Sequence, residues 1–162
     1  MPSTDLILDF TAYDVSQVVA DLHEIRRFNP QRFELEQLSA IILDDPVRNI
    51  CVGYKDHQVD DFWTRGHMPG KPLLPGILMC EAAAQCCTYF TQKHDLLGCS
   101  VVGFGGLDEV RFRASVFPGD RMVIVVQLLK ARRNSMAVFR FQEFVGQRIV
   151  CEGMIKGVPL RD

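Results

Sequence analysis

A histidine, a glycine and a glutamate, His67, Gly76 and Glu81, fall within fifteen residues of one another in "GHMPGKPLLPGILMCEAAAQ". Imidazole exchanges a proton near neutrality, and a positioned carboxyl group can deliver one. A backbone N–H at the start of a helix has no partner within that helix and can hold a developing negative charge. Taken singly, each of the three has an ordinary reading. A lone loop histidine is by default a surface or capping residue, and Pro-Gly before a helix is common.

The elements around them narrow the choice. The loop 66–76 holds three prolines and three glycines in eleven residues, and proline fixes both its own backbone and that of the residue before it. Such a loop is stiff and positions what flanks it. From Gly76 to about Phe90 the chain is almost wholly apolar, without internal glycine or proline and too long for a strand. It is expected to be a helix buried on most sides, with Gly76 at its start letting a substrate approach the backbone. Glu81, Gln85, Thr88 and Gln92 recur along it at spacings of four, three and four, so they share one helix face. That stripe is either a narrow solvent-facing strip or a polar line along a cavity. No lysine or arginine joins it before Lys93, which favours the cavity. Desolvation there disfavours the charged form of Glu81, which suits an acid.

The rest of the chain must supply what buries this helix. Val15, Val18, Val19, Leu22 and Ile25 have helical spacing, and Asp14 with Gln17 resembles a capping box, predicting a helix over 15–28 that ends at Asn29-Pro30. Two strands are expected in "QLSAIILDD" and "RNICVGYK". After a "GFGG" break, four more are expected in "DEVRFRASV", "RMVIVVQLLKARR", "SMAVFRFQEFV" and "RIVCEGMIKG", separated by turn residues. Pairing in sequence order would give an antiparallel meander. The plan is an α+β fold, a curled sheet around one helix, in a single domain over 1–162 whose N-terminal extension and helix occupy about 1–28.

Composition excludes several classes. The net charge of −2 among 162 residues argues against a nucleic-acid partner. No run has the roughly 18 uninterrupted apolar residues of a membrane span, and the acidic N-terminus does not read as an export signal. The six cysteines, at 51, 80, 86, 87, 99 and 151, show no CxxC spacing and are expected to be reduced thiols of a cytoplasmic protein. Cys86 and Cys87 are expected to be small core residues. Zinc through His94 and Cys99 lacks a second ligand pair, so no metal site is expected.

"GHMPGKPLLPGILMCEAAAQ" resembles the active-site signature of the β-hydroxyacyl-acyl-carrier-protein dehydratases of fatty acid synthesis, H-F-P-G-x-P-x-x-P-G-V-L-x-x-E-A-x-A-Q. Only Met68 and Ile77 differ from it, both conservatively, and "RFRASVFPGD" resembles a second family segment. The likeness covers roughly residues 15–157. It implies a hot-dog fold and a hydro-lyase that reversibly removes water from a 3-hydroxyacyl thioester, giving the trans-2-enoyl thioester without a cofactor. By motif match His67 would be the base, the Gly76 N–H the oxyanion donor with Gln85 also at the substrate, and Glu81 the group serving the 3-hydroxyl. The resemblance implies that His67 and Glu81 meet across a homodimer, or within a higher even oligomer such as a trimer of dimers. Glutamate at 81 resembles the dehydratase-only branch more than the dehydratase/isomerase branch.

The implied partner is an acyl carrier protein holding the acyl group on phosphopantetheine. Such proteins are acidic, so a basic patch is expected. Arg111 and Arg113, alternating about Phe112 and expected to share a sheet face, are candidates, with Lys130, Arg132 and Arg133 a second cluster. The family's P-H-R-Y-P-F stretch is only partly matched by "NPQRFEL", and its aromatic gate falls at Gly103 beside Phe104. These departures suit a paralogue that accepts longer or bulkier chains. The alternatives are another hot-dog acyl-thioester enzyme, a thioesterase or isomerase, or a non-catalytic acyl-binding scaffold.

Overall fold

The computed structural model describes residues 5–161. Six strands, β1 (Ala40–Asp45), β2 (Ile50–Asp56), β3 (Val102–Phe112), β4 (Arg121–Arg132), β5 (Met136–Val145) and β6 (Arg148–Pro159), form one antiparallel sheet. It holds a short helix α1 (Leu22–Ile25) at one edge and a long helix α2 (Gly76–Lys93) in its concave face. This is the hot-dog arrangement.

The strand order is β1-β2-β4-β5-β6-β3. The expected meander therefore holds only from β4 to β6. β3 lies beyond β6 at the far edge rather than between β2 and β4, because α2 and its loop carry the chain across the sheet between β2 and β3. "GFGG" is no break: residues 103–106 lie inside β3, with a register shift between Phe104 and Gly106. Strand alternation sorts side chains to two sides. Cys51, Ile124, Val126, Phe139, Phe141 and Ile155 pack on Met79, Ala82, Ala83, Cys86 and Phe90 of α2. Val52, Val123, Val125 and Phe144 face the other way and are covered by Ile7, Leu8, Phe10 and Tyr13.

The expected helix over 15–28 shrinks to Leu22–Ile25, whose N-cap is Asp21, not Asp14. Asp14 instead closes a local turn through Ser16. Val15, Val18 and Val19 are exposed. The backbone at Val19 and Ala20 pairs with Ile41, covering the free edge of β1. β-branched residues fit that extended conformation better than a helix.

All six cysteines are free, and all but Cys99 are buried. Cys80 and Cys151 lie beside Glu143 of β5, which is wholly buried and whose carboxyl oxygens have no hydrogen-bond partner. Burial pushes Glu143 well above the usual carboxylate range, and the neighbouring thiols of Cys80 and Cys86 add to the effect.

Candidate active site

The loop before α2 is fixed at several points. Leu74 is buried, and its N–H donates to Val116 O at 2.8 Å. The His67 N–H donates to the carbonyl of buried Trp63 at 2.9 Å. The turn between uses left-handed backbone at Met68 (φ 61°) and Gly70 (φ 83°), the latter a conformation glycine adopts without steric cost.

The half-buried His67 ring places Nδ1 2.7 Å from Leu73 O. A carbonyl only accepts, so Nδ1 carries the hydrogen and Nε2 of the neutral ring keeps its lone pair. That is the tautomer a base needs.

Pro75 is the N-cap of α2, and no side chain caps the helix start. The first N–H groups are therefore available to an incoming anion. Gly76 is required here for a reason the motif does not show. A Cβ at this position would lie 2.9 Å from Cε1 of Phe112, at the end of β3. The ring of Phe112, not open space, occupies that side of Gly76.

Glu81 is half-buried rather than desolvated on all sides. Its Oε1 accepts from Gln85 Nε2 at 2.8 Å. Gln85, expected at the substrate, is itself buried and lies outside the lining of the cavity that Glu81 borders. Its second amide hydrogen goes to Leu35 O at 2.7 Å, and its Oε1 accepts from the Gln37 N–H at 2.8 Å. Gln85 thus ties Glu81 to residues 35–37. Asn29 adds to the tie, donating to Gln85 O at 2.9 Å.

The polar stripe divides accordingly. Gln85 belongs to this tie and Gln92 donates to Ser100 O at 2.9 Å, while Glu81 and Thr88 line a cavity. Thr91, which the spacing argument missed, lines it too, with Ala84, Val102, Phe104 and Phe139. Gly103 is part of the same lining. A signal was present: Glu81, Ala84, Thr88 and Thr91 repeat at three, four and three.

Within the chain His67 hydrogen-bonds Leu73 and Glu81 hydrogen-bonds Gln85, and His67 lines neither opening at Glu81. Gly76 opens onto a groove with Leu73, Phe112 and Arg113, whereas Glu81 opens onto the cavity and onto a second groove with Leu35, Ile77 and Leu107. Five residues of helix separate Gly76 from Glu81 by about 140° at 3.6 residues per turn.

Of the basic candidates, Arg113 is engaged by Glu152. Arg111 is exposed, and its guanidinium meets only the adjacent Val110 carbonyl at 3.3 Å. Arg111 stands opposite Glu152 in the β3–β6 register, and Arg113 pairs with that same carboxylate, so the two arginines share a face as the alternation predicts. In the second cluster Arg133 pairs with Asp95 at 3.1 Å, while Lys130 and Arg132 are exposed.

Comparison with known proteins identifies the family. The family model for the FabA-like domain matches residues 29–154. The chain is 35% identical to the 3-hydroxyacyl-(acyl-carrier-protein) dehydratase FabZ of Haemophilus influenzae, over 85% of this chain and 92% of that one. It is 31% identical to the FabZ of Mannheimia succiniciproducens, over 85% and 91%. Among solved structures, a chain of the dehydratase heterocomplex ApeI:P from Xenorhabdus doucetiae superposes with a TM-score of 0.71 at 14% identity, covering 85% of this chain and 91% of that one. A sigma28-regulated virulence protein from Campylobacter jejuni superposes at 0.61 with 16% identity, covering 89% and 95%. The chain belongs to the FabA-like family.

Proposed function

We propose that this protein is a (3R)-hydroxyacyl-acyl-carrier-protein dehydratase of fatty acid biosynthesis, a hydro-lyase interconverting 3-hydroxyacyl and trans-2-enoyl thioesters. The observation that carries the reading is the pair of prepared groups: His67 with Nδ1 bound to Leu73 O, and Glu81 held by Gln85 at a cavity mouth. Relatives at 31–37% identity bear this activity in their names, which does not favour the thioesterase, isomerase or scaffold alternatives.

His67 Nε2 takes the C2 proton, made acidic by the thioester carbonyl. The carbonyl oxygen, as it gains charge, is met by the Gly76 N–H at the positive end of α2. As the C2=C3 bond forms, the C3–O bond breaks, and the hydroxyl leaves as water with a proton from Glu81. The proton on His67 then returns through solvent to Glu81, completing the cycle. Gln85 acts on this chemistry only through Glu81.

The working unit in this reading is a homodimer or higher even oligomer, each site taking His67 and Gly76 from one protomer and Glu81 from another. Three features support it: the separate openings that Gly76 and Glu81 line, the outer edge of β3, unpaired among the described residues, and the exposed Met68, Ile77 and Phe104. The acyl carrier protein would dock near Arg111. Among the described residues no helix is long and apolar enough to cross a membrane, and the reading places the enzyme in the cytoplasm.

The test is hydration of crotonyl thioester by the folded wild-type protein, with enoyl thioesters of increasing length as substrates. Turnover is expected. A folded oligomer inactive on every length would sink the reading.

A further inference from the structure

The cavity beyond Glu81 encloses about 160 Å³. Its walls are apolar at Ala84, Val102, Phe139 and Ile155, yet Thr88 and Thr91 of α2 also line it, as does Gln31 from the segment before β1. Thr88 and Thr91 are 7% and 1% exposed, so bulk water does not serve them.

A helical threonine often bonds a carbonyl one turn back. Here the Thr88 and Thr91 side chains line the cavity instead. The Oε1 of Gln31, in the same lining, is buried without a partner. One cavity therefore holds two hydroxyls, each able to donate and accept, and one acceptor-only oxygen.

Buried polar groups of this kind are costly to leave unmatched. An all-methylene chain pushed into the cavity would displace whatever solvent serves them and offer nothing in return. A chain bearing a hydroxyl would accept from a threonine and donate to a threonine or to Gln31 Oε1.

We propose that the acyl group accepted here carries an oxygen substituent, a hydroxyl, part-way along its chain, recognised by Thr88 and Thr91 together with Gln31. This rests on the dehydratase reading, in which C3 lies at Glu81 and the rest of the chain runs along α2. Thr88 and Thr91 stand seven and ten residues beyond Glu81, so they meet the chain ~10–15 Å past C3, from the rise of a helix. A site that hydrogen-bonds a substrate hydroxyl discriminates against the analogue lacking it far more strongly than an apolar pocket resolves one methylene.

The experiment compares kcat/KM for hydration of N-acetylcysteamine trans-2-enoyl thioesters of roughly ten to sixteen carbons, spanning that reach. Each length is made with and without a terminal hydroxyl. The ratio of hydroxylated to plain substrate is read within each protein, so a general loss of activity in a variant cancels. Wild type is expected to prefer the hydroxylated chain by about tenfold or more at one length. Thr88→Val and Thr91→Val should collapse that ratio towards one, whereas Thr88→Ser should keep it. Ordered water beneath a plain chain is the competing arrangement. It predicts no preference at any length and no change in ratio in the valine variants, and either result overturns the proposal. If wild type hydrates neither series nor crotonyl thioester, the dehydratase reading itself has failed and this inference falls with it.

Discussion

Gln85 and Glu81, one turn apart on α2, share a 2.8 Å hydrogen bond in which the amide donates to the carboxyl Oε1. The same amide donates to Leu35 O, so one side chain couples the acid to the segment before β1. Gln85→Leu is expected to lower kcat more than it raises KM, because it frees Glu81 to swing without removing it. It should also destabilise the fold by about 1–3 kcal/mol, since the Leu35 carbonyl and the Gln37 N–H lose their partners. Steady-state kinetics and urea unfolding measure the two effects. Unchanged kcat in a well-folded variant would remove Gln85 from the mechanism.

His67→Ala and Glu81→Gln should each reduce hydration of crotonyl thioester by about 10²–10⁴-fold while leaving the fold intact. Co-expression of the two variants should restore activity to about a quarter of wild type. Half of randomly assembled dimers are mixed, and one of the two sites in each then has both native groups. No recovery from a verified mixed dimer would mean that both groups act within one protomer.

Gly76→Ala sets a new Cβ against Phe112 and is expected to lower both the melting temperature and the activity. Adding Phe112→Ala removes the clash. If Gly76 matters only for packing, the double variant should recover the activity of Phe112→Ala alone. If the substrate also needs close approach to that backbone, stability recovers and kcat/KM does not. The double-mutant cycle separates the two effects.

Glu143→Met should stabilise the protein, and more so as pH rises. The unfolded chain ionises this carboxyl near its ordinary 4.5, whereas the folded state holds the proton to well above that. The wild-type contribution is therefore fully present below 4.5 and is lost as pH rises through the folded value. The advantage of the variant grows above pH 4.5 by up to about 1.4 kcal/mol per pH unit, until the folded carboxyl ionises. Thermal melts of both proteins at pH 5 and pH 8 measure it. A pH-independent difference would contradict a buried, protonated Glu143.

Much of this was legible because it was local. The stiff loop, the buried helix and five of the six strands follow from periodicity and turn residues, and His67 and Glu81 stand out by residue type. What was not legible depends on distant partners. "GFGG" looks like a break but is held in β3 by β6, and Val15–Val19 look helical until the backbone at Ile41 claims the chain. Gln85 shares its helical spacing with Thr88, yet the segment 29–37 draws it away from the cavity. Phe112 behind Gly76 is separated from it in sequence and adjacent only in the fold.

The burial of five cysteines leaves Cys99, in the turn after α2, as the one thiol open to solvent among the described residues. A maleimide dye should modify the native protein there first. It would report from beyond the end of α2 opposite Gly76, so the proposed subunit assembly and carrier-protein docking can be tested by fluorescence in the wild-type sequence, without engineering a reactive position.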